Sequence, residues 1–178
     1  MKTYTQPADD RQRGGHRGGK IIPALCNIIG TLILLVVIAM ACSLVVPRAL
    51  GYQVYHVVSG SMAPAIPVGS AVFVRSVDPA ELEEGDVIAF ISGGSVVTHR
   101  VTANQVVEGY LTTKGDANEA EDPSGVDYSE VIGRVERHID RLGTFLTIFE
   151  TTIGKIYLLI FAACGAMLNM LAGRLRSR

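Results

Sequence analysis

The central part of this sequence, between residues 47 and 150, contains no cysteine. The three cysteines of the chain, Cys26, Cys42 and Cys164, all lie in strongly apolar runs nearer its two ends. This absence excludes a disulfide framework in the central part, as well as any mechanism that uses a cysteine nucleophile there. It also argues against a zinc site, and neither a metal ion nor another cofactor is expected.

Two long, strongly apolar runs of the sequence contain no charged residue. The first, Ile21 to Val46, is longer than the roughly 20 apolar residues that cross the core of a bilayer. The second, Ile156 to Ala172, is slightly shorter and is flanked by basic residues that can reach lipid headgroups. We expect transmembrane helices over residues 21–46 and 153–173. A cleaved signal peptide is the alternative for the first run, but its apolar core exceeds the roughly 7–15 residues of such a segment.

Basic residues collect outside these two runs. Residues 1–20 carry five Lys or Arg and residues 174–178 carry three, whereas the segment between the runs has 8 basic and 15 acidic residues, a formal charge of −7. Because cytoplasmic flanks are enriched in Lys and Arg, we expect both termini in the cytoplasm and the acidic segment on the extracytoplasmic side. The Arg-Gly pattern before Lys20 could alternatively bind RNA. A flexible basic tail that sets topology explains it more simply, and no nucleic acid is expected as a partner.

From about Gly51 to Arg137 the sequence shows short β-rich runs separated by turn residues, without a helical period. Ser92-Gly-Gly-Ser95 predicts a hairpin turn, and residues 114–129 predict a long loop. An apolar stretch from Ile139 to Phe149 is expected to lie along the membrane surface. The predicted fold is mainly β: one all-β domain, residues 47–150, flanked by two transmembrane helices. The candidate strands are Gln53–Val58, Ala71–Arg75, Val87–Ile91, Val96–Val101, Tyr110–Thr113 and Val131–Val135.

Ser61 lies where a β-rich run ends abruptly, in the segment Ser59-Gly-Ser-Met-Ala-Pro-Ala-Ile-Pro67. A serine at such a strand end presents its hydroxyl beside free backbone N–H groups, which can stabilise an oxyanion. Ser-Gly-Ser is also a common turn sequence. From the residues alone, nothing distinguishes Ser59 from Ser61 as a nucleophile.

His99 is the candidate base, and strand alternation places it on one face with neighbouring valines. Imidazole is the usual activator of serine because it is largely neutral near pH 7. A half-buried structural histidine would show the same pattern. The competing histidines are His56, which is very close to Ser61 in sequence, and His138, which lies near the second apolar run. Lys114 is a further candidate base that would need strong desolvation.

Two aspartates, Asp116 and Asp122, lie in the predicted long loop. A serine–histidine pair needs a carboxylate on the far ring nitrogen, which fixes the tautomer and stabilises the imidazolium. Either aspartate could supply that carboxylate. Taken alone, both fit a solvated loop equally well.

In their order and context these motifs resemble signal peptidase I of the archaeal and endoplasmic-reticulum type. The resemblance covers most of residues 20–172. It implies that Ser61 is the nucleophile and that His99 replaces the lysine base of the related bacterial-type enzymes. It also implies that Ser59 and the backbone N–H of Ser61 form the oxyanion hole. The motifs are Ser59-Gly-Ser-Met62, Gly85-Asp-Val87, Thr98-His-Arg-Val101, Lys114-Gly-Asp116 with Asn118, Asp122, and Gly133-Arg-Val135.

The same resemblance matches Asp116 and Asp122 to the two aspartates of the family. We favour Asp122 as the partner of the imidazole and Asp116 as a structural support. The chain departs from the family pattern at Ser70, where an aspartate is common, and at Ala63, where a glutamate is common. Neither position is expected to take part in the chemistry.

The implied activity is that of a membrane-bound serine endopeptidase, without cofactor, that removes signal peptides after small residues at −3 and −1. Its implied partners are secretory preproteins and the lipid bilayer, with the translocon or accessory subunits as further candidates. A prokaryotic cell membrane is the expected location rather than the endoplasmic reticulum. The alternatives are a β-domain that binds an exported partner without catalysis and a peptidase dedicated to a few clients.

Overall fold

The computed structural model describes residues 21–176 as two units. One unit is residues 39–158, and the described parts of the other are residues 21–38 and 159–176. These described residues contain three α-helices: α1 (Ile21–Ala49), α2 (Leu142–Glu150) and α3 (Thr152–Arg176). The basic tail predicted for residues 1–20 lies outside the described residues.

Helices α1 and α3 are long and apolar enough to cross a membrane. Most of their apolar side chains are exposed, which suits lipid better than water as the surrounding solvent. Within the smaller unit the two helices approach closely at Gly30 and Gly165. A Cβ atom added to Gly30 would lie 2.8 Å from the carbonyl oxygen of Gly165, so a glycine is needed for this contact.

The larger unit is built on one antiparallel sheet with the strand order β1-β2-β7-β3-β4-β5-β6. Helix α1 leads almost directly into β1 at one edge of this sheet, and the short β6 forms the other edge. Helix α2 packs against β1 and β2. The strands are β1 (Tyr52–His56), β2 (Ala71–Arg75), β3 (Val87–Ser92), β4 (Ser95–Gln105), β5 (Tyr110–Lys114), β6 (Val126–Asp127) and β7 (Val131–Ile139).

The predicted fold class, a mainly β domain flanked by two apolar helices, is confirmed. Each of the six candidate strands is present, and β3 and β4 form the expected hairpin, in which Gly93 and Gly94 have φ values of 55° and 76°. Two glycines with positive φ are what a two-residue hairpin turn requires. The predicted loop over residues 114–129 is interrupted by β6 and by a 3-10 turn, Tyr128–Glu130. A strand of two residues is too short to leave a periodic signal.

Apolar side chains pack on both faces of the sheet, because consecutive residues of a strand point to opposite sides. On β3, Ile88 and Phe90 belong to one buried cluster and Ala89 to another. The second cluster also contains Met62 and Ile66, which come from the connection between β1 and β2. This connection, which carries Ser61, is therefore part of the core.

Replacing Met62 by alanine should lower the free energy of unfolding by about 2–5 kcal/mol, because the side chain is fully buried and its removal leaves a cavity. Thermal denaturation of the full chain in detergent would measure the effect as a lower Tm. Met62→Leu, which nearly conserves volume, should cost less than about 1.5 kcal/mol. A Tm for Met62→Ala equal to that of Val107→Ala, a change at a fully exposed side chain, would contradict this packing.

Candidate active site

The loop that carries Ser61 is closed at its base and anchored inside the core. Backbone hydrogen bonds of 2.9 and 2.8 Å join Val57 to the Gly69–Ser70 pair. Farther along, the N–H of Ile66 donates to the carbonyl of Met62 at 2.8 Å, and both side chains are buried. Ser61 directly precedes the first of these anchors, so its backbone position is set by packing rather than left to a mobile turn.

The hydroxyl of Ser61 lies 3.3 Å from the hydroxyl of Ser59. Within residues 21–176 the backbone N–H of Ser61 has no hydrogen-bond partner. A free N–H at a nucleophile can donate to the oxyanion that forms when the nucleophile attacks a carbonyl. The Ser59 hydroxyl is close enough to the Ser61 hydroxyl to serve the same oxyanion.

His99 lies in β4 and is only 8% exposed. Its Nδ1 is 2.6 Å from Oδ2 of Asp122. The same carboxylate oxygen accepts a 2.6 Å hydrogen bond from the hydroxyl of Thr113, and the N–H of Asp122 donates to the Thr113 carbonyl at 2.8 Å. With Nδ1 donating to the carboxylate, a neutral imidazole has its lone pair on Nε2. That atom is therefore the one that can accept a proton.

Asp116 has a different partner. The guanidinium of Arg100 donates two hydrogen bonds to its carboxylate, from Nε at 2.8 Å and from Nη2 at 2.7 Å. A third donor of Arg100, Nη1, lies 2.7 Å from the carbonyl of Gly85. The hydrogen bond to Asp116 raises the pKa of Arg100 above its ordinary value. Of the two candidate aspartates, the structure therefore places Asp122 against His99, and Asp116 against Arg100.

The loop after β5 contacts both halves of the site. The N–H of Ala117 donates to the Ser61 carbonyl at 2.8 Å, and a Cβ atom added to Gly115 would lie 2.7 Å from that same oxygen. A few residues later the loop brings Asp122 to His99. Ser61 and His99 share no direct hydrogen bond in the described part of the chain. Catalytic hydrogen bonds often shorten only when substrate binds, so this leaves the pair a candidate.

The competing histidines lie in other surroundings. Nε2 of His56 is 3.5 Å from the hydroxyl of Thr144, in α2. Nε2 of His138 is 3.7 Å from a carboxylate oxygen of Asp140. Neither imidazole has a hydrogen bond to Ser61 among the described residues.

Arg100 and Thr113 were given no role by the sequence. Each forms hydrogen bonds with one of the candidate aspartates, and each lies inside or next to one of the sequence motifs. Arg100 follows His99 directly, and Thr113 precedes Lys114-Gly-Asp116. Their places next to His99 and Asp116, together with the alternation of side chains along a strand, could have marked both residues as candidates. Neither feature shows which aspartate each of them contacts.

None of the protein-family models matches the chain. Among curated proteins, Signal peptidase I W of Bacillus subtilis (strain 168) is 40% identical over 111 residues, a match that covers 58% of this chain and 58% of that relative. The chain thus spans less than two thirds of the relative's length. The similarity supports a relationship to signal peptidase I, a class of peptidase, and leaves the subtype open.

Substituting alanine for Gly115 should displace the Ser61 carbonyl and weaken its hydrogen bond with the Ala117 N–H. A hydrogen bond of this kind contributes about 0.5–1.5 kcal/mol, so the amide of Ala117 should exchange with solvent roughly 2- to 10-fold faster. Hydrogen exchange followed by mass spectrometry would measure this. Gly173→Ala adds the same methyl group where nothing lies within 4 Å, and serves as the control. Unchanged protection at Ala117 would contradict the predicted steric conflict.

Proposed function

We propose that this chain is a membrane-bound signal peptidase I, a serine endopeptidase that removes signal peptides from exported preproteins. Ser61 is the nucleophile, His99 the general base and Asp122 the carboxylate that orients the imidazole. The observation that carries the proposal is the 2.6 Å contact between Nδ1 of the buried His99 and Asp122, because it leaves Nε2 as the proton acceptor. The similarity to Signal peptidase I W is a second, independent support.

In the first chemical step Nε2 of His99 takes the hydroxyl proton of Ser61 while Oγ attacks the scissile carbonyl. The negative charge that develops on the carbonyl oxygen is stabilised by the N–H of Ser61 and the hydroxyl of Ser59. The imidazolium is stabilised by the carboxylate of Asp122. It then gives its proton to the leaving amine, and an ester between Ser61 and the signal peptide remains.

In the second step water attacks this ester while Nε2 takes its proton. The tetrahedral intermediate collapses, the proton returns to Oγ of Ser61, and the signal peptide leaves with a new carboxylate. Because His99 is almost fully buried, its interaction with the carboxylate is screened less than it would be in water. The acyl-enzyme mechanism requires no metal or organic cofactor.

Arg100 and Asp116 act as positioning residues in this proposal. Their paired hydrogen bonds hold the start of the loop that runs from Gly115 to Asp122. Near its start that loop fixes the Ser61 backbone through the N–H of Ala117, and at its end it fixes the His99 imidazole through Asp122. The ion pair therefore acts on the catalytic groups through the backbone and does not touch the reacting atoms.

The substrates are secretory preproteins with small residues at −3 and −1, tethered to the same bilayer as the enzyme. Tethering both partners raises their effective concentration. The charge distribution supports an extracytoplasmic catalytic domain with both termini in the cytoplasm, in a prokaryotic cell membrane. Histidine rather than lysine at position 99 supports the archaeal and endoplasmic-reticulum type. The translocon and accessory subunits are candidate partners.

Ser61→Ala and His99→Ala should each lower the rate of preprotein cleavage in liposomes by at least about a thousandfold, because each removes a member of one proton-transfer unit. Cleavage of a model preprotein would be followed by gel electrophoresis, with membrane insertion checked in parallel. The matched controls are Ser95→Ala and His138→Ala, which should retain the wild-type rate. Wild-type cleavage by either site variant would overturn the assignment, and an inactive wild type would favour a β-domain that binds without catalysis.

The two aspartates should respond differently to amide substitution. Asp122→Asn should lower kcat by roughly a hundredfold to ten-thousandfold, because the amide no longer fixes the imidazole tautomer. Asp116→Asn should cost less, because it only loosens the loop held by Arg100. Arg100 and Asp116 act as a pair, so Arg100→Gln alone should lower kcat by a similar factor. The double variant Asp116→Asn/Arg100→Gln should lower kcat no further than the more damaging of the two single changes. Steady-state kinetics on one preprotein would measure all four variants. A larger loss for Asp116→Asn than for Asp122→Asn would reverse the assigned roles.

A further inference from the structure

Helix α2 has one face buried against the sheet and an opposite face that is apolar but uncovered. Gly143 and Leu146 face the domain, where α2 packs on β1 and β2. Phe145 and Ile148 are 61% and 54% exposed. Leu142 and Phe149, both half-buried, flank Phe145 at spacings of three and four residues and lie at the border between the two faces. Large apolar side chains grouped in this way on the surface of a short helix indicate an interaction site.

The position of α2 in the chain indicates which partner covers that face. Its last residue is separated by Thr151 alone from α3, a helix apolar enough to cross a membrane. One residue of chain spans less than about 4 Å, so the end of α2 must lie close to the start of α3.

The end of α1 is held at the same place. Nη2 of Arg48, in the last turn of α1, is 2.8 Å from Oε1 of Glu150, the last residue of α2. Within the larger unit, the last turn of α1 and the first residues of α3 therefore both lie beside the C-terminal end of α2. If α1 and α3 span a bilayer, the C-terminal end of α2 lies near the surface of that bilayer.

The other end of α2 is attached to the base of the Ser61 loop. The N–H of Thr144 donates to the carbonyl of Gly69 at 3.2 Å. A side chain at Gly143 would overlap the carbonyl of Ser70, so α2 begins in direct contact with this backbone. Val58, which is 77% exposed, and Val68 add apolar surface beside the same loop base.

We propose that α2 is an interfacial helix whose outer face, Phe145 and Ile148, is immersed in the headgroup–acyl boundary of the bilayer. Through Gly69 and Ser70 the helix sets the height of the Ser61 loop above the membrane. Amphipathic helices that lie in this plane bury their apolar face roughly 5–10 Å below the headgroups. Such a depth would hold the nucleophile at a constant distance from membrane-tethered chains.

The chain contains no tryptophan, so one introduced tryptophan reports on one position. The full-length protein with Phe145→Trp, and separately with Ile148→Trp, would be reconstituted in phosphatidylcholine vesicles with and without acyl-chain-brominated lipid. The matched control is Val107→Trp. Val107 is 95% exposed in the connection between β4 and β5, two strands that are separated in the sheet from β1 and β2, on which α2 packs. Circular dichroism and thermal denaturation would establish that each variant is folded.

The expected result is a blue-shifted emission at positions 145 and 148 that is quenched by lipids brominated near the headgroups and protected from acrylamide. Tryptophan at position 107 should show the reverse. Quenching by acrylamide at 145 and 148 equal to that at 107 would overturn the proposal. So would protection from acrylamide without quenching by brominated lipid, since a second copy of the chain or another protein would then cover the face.

A second measurement tests the effect on the Ser61 loop and rests on the proposed function. Phe145→Asp should slow cleavage of a membrane-anchored preprotein by severalfold while leaving cleavage of a short soluble peptide unchanged. Equal effects on the two substrates would contradict the role in positioning. The fluorescence experiment does not depend on peptidase activity, so failure of the docking proposal is distinguishable from failure of the proposed function.

Discussion

The short hydrogen bond between His99 and Asp122 is the constraint on which the candidate site depends. An imidazole with 8% exposure and a partly buried carboxylate would both be unfavourable in this position without partners. The bond gives Nδ1 of His99 and Oδ2 of Asp122 a partner, and the hydroxyl of Thr113 donates a second hydrogen bond to the same carboxylate oxygen. The imidazole can then adopt only one useful orientation, with Nε2 directed away from the aspartate.

This arrangement is maintained by a loop rather than by adjacent strands. Residues 115–122 are held at the start by Arg100, contact the Ser61 backbone through Ala117, and end at the histidine. A loop can hold the site in position because each of its contacts is a backbone hydrogen bond or a hydrogen bond to a charged group. Such bonds weaken when their atoms are displaced. The Ser61 segment is held in a complementary way, since Met62 beside it is buried in the core. The position of the candidate nucleophile therefore depends on the packing of the residue next to it.

Much of the architecture could be predicted from local patterns. Two long, apolar runs without charge identify α1 and α3, because in lipid a helix pairs all of its own backbone N–H and C=O groups. Alternation and β-branched residues identify six strands, and the Gly93–Gly94 pair identifies a hairpin because of its backbone freedom. β6 was missed, since two residues carry no period. The segment that became α2 was recognised as apolar, but its helical form depends on packing against β1 and β2.

The sequence alone determined the kinds of element, the distribution of charge and the motifs that contain Ser61 and His99, because these depend on residues close together in the chain. Although Asp122 was favoured, the residues themselves do not rank Asp116 against Asp122, since both lie in one loop within a few residues of each other. Only the tertiary structure separated them, by pairing Asp116 with Arg100 and Asp122 with His99. Such pairing is set by strand register and loop path, which arise from contacts between residues distant in sequence.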